Sequence, residues 1–285
     1  MKIYTLKNKK GIIIGYIYFF MSYKIKLYKN SKQFVVEFIR NLQRTKAGFA
    51  GFYKKSELEK ILRKFIFFND KVRARDFKHL PRFKIQRANI VYIIKNSLIK
   101  CHNLFPIKKI LKIFIFPCFN KFIEKQMNGV SGFVPRQNVI YIFLHPRAKN
   151  FEKRLKYTVA HEFYHAVSDK YCKKWNKSIL GSLISEGLAN NFRLKAVDGK
   201  LTPGLIALSK KQCREIWPKV KRILSSENPK TFWALFFGGK EYPLWTGYTL
   251  GYQIVKSFLK KYPKMKWYEV IKIKPETILK ESGWE

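Results

Sequence analysis

The spacing of apolar residues changes twice along this 285-residue chain, and these changes limit the folds that it can adopt. Up to about residue 103 the spacing is helical and predicts helices over 31–43, 55–68 and 87–103. Two short runs rich in β-branched and aromatic residues then predict strands, at Lys112–Cys118 and Asn138–Pro146, joined by a loop that contains 128–132. Helical spacing returns at Asn150 and predicts helices over 150–175, 179–196, 246–261 and 275–282. This order predicts an α+β fold, mainly helical, with a small sheet before helix 150–175 and a helical carboxy-terminal half.

The amino-terminal part of the chain carries no chemical motif. We divide the chain into a basic and apolar segment at 1–30, a helical region at 31–109 and the main domain at 110–285. The apolar run from Gly11 to Met21 is shorter than the about 20 residues that a membrane-spanning helix needs, and no cleavage site of small residues follows it. It is a weak signal or membrane anchor, a buried strand, or a stretch that precedes a true start at Met21. We favour a cytoplasmic protein, with membrane association or export through residues 11–21 as the alternative.

The charge and the cysteines bear on partners and on compartment. The chain has 59 Lys and Arg against 18 Asp and Glu, a formal charge of +41, which attracts nucleic acid and anionic membranes. The lysines are scattered, however, and Lys, Ile, Phe, Tyr and Asn are all frequent, as in proteins encoded by A+T-rich DNA. We therefore predict non-specific polyanion contact, and find no specific nucleic-acid motif. The cysteines lack a Cys-x-x-Cys pair and are typical of reduced cytosolic thiols: Cys101, Cys118, Cys172 and Cys213.

Two histidines four residues apart lie within the predicted helix 150–175. Four residues make about one helical turn, so His161 and His165 project from the same face and both can bind one zinc ion. Glu162 follows the first histidine and flanks that face, where it can accept a proton from a zinc-bound water. The competing interpretation is a pair of core histidines bonded to backbone carbonyls. We favour a site for Zn²⁺.

A catalytic zinc needs a third protein ligand. The best candidate is Glu186, on the next predicted helix, which a turn near Asn176 would bring back antiparallel. We expect the small residues Gly187 and Ala189 to let these two helices approach closely. His145, at the end of a predicted strand, and Asp169, one turn beyond the histidines, are the rivals. Asp169 is better placed to orient a ligand than to bind the metal itself.

Four stretches of the sequence resemble a known family. They are "AHEFYHAV" (160–167), "LISEGLANNF" (183–192), "PLWTGYTLGYQIVKSFLKKYP" (243–263) and "ILKES" (278–282). Together they are similar to the bacterial family of predicted zinc-dependent proteases called domain of unknown function 2268, over about residues 110–285. The resemblance implies a zincin-like fold and a gluzincin-type metallopeptidase with ligands His161, His165 and Glu186 and base Glu162. This family and its relatives often carry an acid four residues after the glutamate. Here Asn190 stands there, and we expect its oxygen to accept a hydrogen bond from a ligand ring.

The sequence thus predicts a zinc-dependent metallopeptidase that acts on peptides or proteins through a zinc-bound water activated by Glu162. Tyr248 and Tyr252 lie four residues apart on one helix, and their phenols are candidate donors to the substrate carbonyl oxygen. Packing against Trp245 is the equal alternative for these tyrosines. We also expect strand Val139–Leu144 to offer an exposed edge on which substrate can pair. The competing function is an inactive regulator or binding module for nucleic acid or anionic membranes on the same scaffold.

Overall fold

The computed structural model describes residues 2–7, 10–19, 82–172, 175 and 177–284. The predicted helices 31–43 and 55–68 lie outside these residues. The described residues contain nine α-helices and five strands and form two compact units. One unit comprises the described residues of 2–99 and 108–159, and the other those of 100–107 and 160–284. The α+β fold class is therefore confirmed.

The first unit is built on a mixed five-stranded sheet in the order β1-β2-β3-β5-β4. The strands are β1 (Lys2–Lys7), β2 (Ile13–Phe19), β3 (Leu111–Pro117), β4 (Val130–Arg136) and β5 (Val139–Leu144). β2, β3 and β5 are parallel, whereas β1 and β4 pair antiparallel at the two edges. β5 is buried along its whole length, as expected for a central strand covered on both faces.

Two of the five strands were predicted from the sequence, one was among three interpretations of its segment, and two were not predicted. β3 and β5 confirm the two predicted strands. Of the three interpretations of residues 11–21, the structure agrees with the strand, since β2 pairs with β1 on one side and β3 on the other. The sheet thus joins strands from 2–19 to strands from 111–144, while the predicted division at residues 30 and 110 stays a prediction.

Strand β4 corrects two predictions. It begins at Val130, inside the stretch predicted as a loop, and the turn before it is only Asn128 and Gly129, both with positive φ. Its Gly132 and Pro135 weaken the strand signal in the sequence, and an edge strand tolerates a proline because its N–H groups need not all bond. β4 also covers β5, so the prediction that residues 139–144 form an exposed edge is wrong.

The described residues also form nine α-helices. They are α1 (Arg82–Leu104), α2 (Lys121–Gln126), α3 (Phe151–Cys172), α4 (Ile179–Ala196), α5 (Lys210–Lys221), α6 (Pro229–Phe237), α7 (Thr246–Lys261), α8 (Trp267–Val270) and α9 (Pro275–Ser282). α1, α3, α4, α7 and α9 confirm the predicted helices, although α1 begins five residues earlier. No described helix is both long enough and apolar enough to cross a lipid bilayer.

The second unit is organised around the contact between α4 and α7, and α9 packs against both. The two helices meet at a pair of glycines. A Cβ atom on Gly187 would overlap the carbonyl oxygen of Gly251, and one on Gly251 would overlap that of Leu183. Gly187 therefore allows the close approach of α7, whereas the sequence analysis assigned it to the contact with helix 150–175.

Candidate metal centre

Three side chains of the second unit converge, two from α3 and one from α4. The Nε2 atoms of His161 and His165 lie 3.0 Å apart. The Glu186 carboxylate places Oε2 at 3.1 Å from Nε2 of His161 and Oε1 at 3.4 Å from Nε2 of His165. Within the part of the chain that the structure describes, this is the one group of three or more His, Cys, Asp or Glu residues with ligand atoms close enough to hold a metal ion.

Aromatic packing fixes the two helices that carry these side chains. Phe163, which follows Glu162 on α3, stacks on Phe192 of α4 with ring centroids 5.7 Å apart and an interplanar angle of 8°. Tyr164 and Trp267 also contact Phe192, at 5.5 and 5.1 Å. All of these residues are buried. The apolar side of α3 thus packs on α4, and the histidine face remains available for Glu186.

The electrostatics of the three groups suit metal binding. Burial lowers the pKa of His161 to about 4, outweighing the opposing charge of Glu186, so this ring is neutral at pH 7. Burial also lowers the pKa of His165, but the charge and hydrogen bond of Glu186 and the charges of Glu162 and Asp169 together outweigh it, and the net shift is upward. Burial raises the pKa of Glu186, yet the two histidines hold it well below its usual range. The site therefore offers an ionised carboxylate at Glu186 and, at His161, a neutral imidazole whose lone pair can bind a metal.

The arrangement fits a zinc ion. Tetrahedral zinc with bonds of about 2.1 Å places its ligand atoms about 3.4 Å apart. Here the two Nε2 atoms lie 3.0 Å apart, and the oxygens Oε2 and Oε1 of Glu186 lie 3.1 Å from His161 and 3.4 Å from His165. Oε2 of Glu186 is buried and lacks a hydrogen bond of good geometry, although His161 lies beside it. Two imidazole nitrogens and one carboxylate oxygen are a donor set that zinc enzymes use, with a coordination position left open.

Two acidic residues on α3 flank this group. Glu162 is buried, with 8% of its surface exposed, and its charge helps to raise the pKa of His165. Its carboxylate is not one of the three converging ligand groups, and its role as the catalytic base stays a prediction. Asp169 is half-buried one turn further along, and its charge also acts on His165.

Asn190 does not make the contact that the sequence analysis expected. Its Oδ1 accepts a hydrogen bond from Nε of Arg193 at 2.9 Å, and its Nδ2 donates to the backbone oxygen of Glu186 at 2.8 Å. The predicted bond to a ligand imidazole is therefore replaced by bonds within α4. The reason is local: a guanidinium one turn away is a stronger, always-charged donor for the amide oxygen than a neutral ring N–H.

Arg193 is the residue near this group that the sequence analysis missed. It is buried, with 3% of its surface exposed, and its charge contributes to the low pKa of His161. Its sequence signal is an arginine seven residues after Glu186, on the same face of a helix that is otherwise almost wholly buried.

The remaining candidates are not among the three converging residues. His145 belongs to the first unit, where its Nδ1 accepts from the backbone N–H of Arg147 at 3.3 Å and its Nε2 lies 3.6 Å from Glu124. The Tyr248 ring contacts Phe236 at 5.1 Å and Trp245 at 5.5 Å, so the aromatic-packing interpretation agrees with the structure.

Tyr252, one turn further along α7, is buried, and Nζ of Lys256 lies 5.5 Å from its ring centroid. The role of both tyrosines as donors to substrate stays a prediction.

One family model matches the part of the chain that contains this group. The family model described as "Predicted Zn-dependent protease (DUF2268)" matches residues 91–280, from α1 to α9. The matched range contains the three converging residues and Glu162. No curated protein and no solved structure matches the chain. Since the family model covers about two thirds of the 285 residues, the chain belongs to the DUF2268 family of predicted Zn-dependent proteases.

Proposed function

We propose that this protein is a zinc-dependent metallopeptidase of the gluzincin type that hydrolyses peptide bonds in peptides or proteins. The observation that carries the proposal is the convergence of His161, His165 and Glu186, with ligand atoms all within 4.8 Å of one another. The family description, which names zinc and proteolysis, supports it. An intact acid at position 162 distinguishes a hydrolase from a site that only binds metal, since binding alone does not need a proton acceptor.

The three residues would hold Zn²⁺, which when bound polarises a carbonyl and acidifies water. Glu162 accepts the proton of the attacking water and transfers it to the nitrogen of the departing amine. Burial of this carboxylate keeps bulk water from competing for the proton. Tyr248 and Tyr252 are the proposed donors to the carbonyl oxygen as negative charge develops on it. Asp169 is proposed to act through His165, whose pKa its charge already raises.

Metal content tests the ligand set. We expect purified wild type to contain about one zinc per chain by elemental mass spectrometry, because the three residues supply a complete set of protein ligands for a catalytic zinc. His161→Ala and Glu186→Ala should each lose it. His102→Ala is the matched control, since this histidine also belongs to the second unit but bonds the backbone oxygen of Ile107 at 3.2 Å.

Retention of zinc by Glu186→Ala would contradict the assignment of the third ligand. His145→Ala tests the rival directly, and we expect this variant to keep its zinc. Loss of zinc from His145→Ala, in a protein that remains folded by circular dichroism, would also contradict the assignment. A wild type that takes up no zinc after reconstitution would contradict the metallopeptidase function itself.

The competing function, binding of polyanions, is favoured by one surface. Helix α5 exposes five basic side chains and one acidic side chain: Lys210, Lys211, Arg214, Lys219 and Lys221, with Glu215. The buried side of the same helix consists of Cys213, Trp217 and Val220. This basic face suits phosphate groups of either nucleic acid or anionic lipid.

Salt dependence separates a dedicated binding surface from diffuse charge. We expect binding to a DNA duplex to weaken with salt, with a slope of log K against log salt of about −0.9 per phosphate contacted. The first triple variant reverses charges on α5: Lys210→Glu, Arg214→Glu, Lys221→Glu. The control triple variant reverses three exposed lysines elsewhere in the second unit: Lys264→Glu, Lys272→Glu, Lys274→Glu. If the positive charge reflects only the composition of the chain, the α5 variant should lose no more affinity for DNA than the control. Selective loss in the α5 variant, together with a zinc-free protein, would support the binding module instead.

A further inference from the structure

Three polar residues form a column on one face of α4. Glu186, Asn190 and Arg193 follow one another at intervals of four and three residues, so their side chains leave the helix one above the other. The column begins with the proposed third metal ligand and ends in a buried guanidinium, 3% exposed. A buried charge carries a large desolvation cost unless it is well bonded, and an apolar side chain of similar volume would fill this position without that cost. Packing alone therefore does not explain an arginine here.

The guanidinium bonds in two directions. Its Nε donates to Oδ1 of Asn190 at 2.9 Å, and its Nη2 donates to Oγ1 of Thr202 at 3.0 Å. Since a guanidinium has donors and no acceptor, it turns the amide oxygen of Asn190 towards itself. The amide nitrogen then faces back along the helix and donates to the backbone oxygen of Glu186 at 2.8 Å.

Thr202 belongs to a loop that is also fixed to α7. It precedes the 3₁₀ turn Pro203–Leu205, and within this turn the backbone oxygen of Gly204 accepts from Oγ1 of Thr249 at 3.1 Å. Thr249 is fully buried on α7. The segment 202–205 is thus hydrogen-bonded to Arg193 of α4, the helix that carries Glu186, and to Thr249 of α7.

We propose that Arg193 is a positioning residue for the metal centre. Its planar fork holds Asn190 and Thr202 at the same time, and so fixes the face of α4 from which Glu186 reaches the two histidines. Lysine cannot replace it, because an ammonium is a point charge without the fork geometry. The inference rests on the proposed function, since it takes Glu186 to be a metal ligand.

The charge of Arg193 and its position predict opposite results. A fixed cation disfavours a second cation nearby, so by charge alone its removal would tighten metal binding. If Arg193 acts by positioning, its removal weakens metal binding, because residues that orient metal ligands are typically worth 10- to 100-fold in affinity. Whether metal affinity rises or falls when Arg193 is replaced therefore decides between the charge effect and the positioning effect.

Cobalt(II) is a suitable probe because its visible absorption reports tetrahedral coordination without any assay of proteolysis. We expect Arg193→Gln and Arg193→Lys each to raise the cobalt dissociation constant by about 10- to 100-fold and to weaken the tetrahedral bands. Thr202→Val removes one hydrogen bond with little change of shape and should raise the constant by about fivefold. Arg222→Gln, which removes an exposed arginine of the same unit, should leave it unchanged.

A double-mutant cycle tests the route through Asn190. Added to Asn190→Ala, Arg193→Gln should cost only the about fivefold expected for the Thr202 bond, because the contact between Arg193 and Asn190 is already lost. Thermal unfolding of each apoprotein identifies any variant that fails to fold, and Thr202→Val then carries the test. Tighter or unchanged binding in Arg193→Gln, or wild-type binding in Arg193→Lys, overturns the inference. A folded wild type that binds no cobalt overturns the proposed function, and the inference with it.

Discussion

Glutamine in place of Glu162 is expected to lower kcat for peptide hydrolysis by about 10²- to 10⁴-fold, the usual contribution of a general base, while zinc content stays at the wild-type level. The amide has nearly the shape of the carboxylate but cannot accept the proton of the attacking water. Because Glu162 is not among the converging ligand groups, its charge can be removed without removing a bond to the metal. Zinc content by elemental mass spectrometry and turnover of a peptide library, measured on the same samples, check both parts.

Glu152→Gln is the matched control. Glu152 lies in the first turn of the same helix α3, is exposed and is not one of the converging ligand residues, so its replacement removes an equal charge but no proposed ligand. We expect it to keep both zinc and turnover. Wild-type activity in Glu162→Gln would exclude this residue as the base. Loss of zinc from Glu162→Gln would instead show that the carboxylate binds the metal, and the ligand set would then need revision.

Local sequence patterns were sufficient for the parts of the fold and the site that depend on near neighbours. The shared face of His161 and His165 follows from a four-residue spacing and a helix. β3 and β5 are dense runs of buried β-branched and aromatic residues, and such runs predict strands wherever they lie in the sheet. Glu186 also belongs here, since its helix is the next one along the chain after the helix of the two histidines.

The parts that the sequence did not predict depend on distant partners. β4 contains a glycine and a proline and is a strand because β5 lies beside it, which no local pattern records. Gly187 was recognised as a point of close approach but assigned to the wrong helix, because its partner Gly251 lies 64 residues away. Asn190 was expected to accept a hydrogen bond from the ring of a ligand histidine, but its Oδ1 accepts from the guanidinium of Arg193 instead.

The second large expected effect is on stability, and it concerns the contact between Gly187 of α4 and Gly251 of α7. Gly251→Ala should lower the free energy of unfolding by roughly 1–3 kcal/mol, because the added Cβ would overlap the backbone oxygen of Leu183 and only a shift of α7 away from α4 relieves it. An alanine inside a helix normally stabilises it by about 1 kcal/mol relative to glycine, so the expected sign is opposite to that of helix propensity. Urea unfolding of the zinc-loaded and the chelated protein measures both states.

The same substitution should also weaken zinc binding, because Gly187, the partner at the crossing, directly follows the proposed ligand Glu186. Separation of the helices there moves the carboxylate relative to the histidines of α3. Gly239→Ala is the control: it lies in the loop after α6, and its Cβ would meet no atom within 4 Å, so stability should change by no more than about 0.5 kcal/mol. Equal stability of Gly251→Ala and Gly239→Ala would show that α4 and α7 can move apart without lowering the free energy of unfolding. Destabilisation with unchanged zinc affinity would show that the crossing supports the fold but not the position of Glu186.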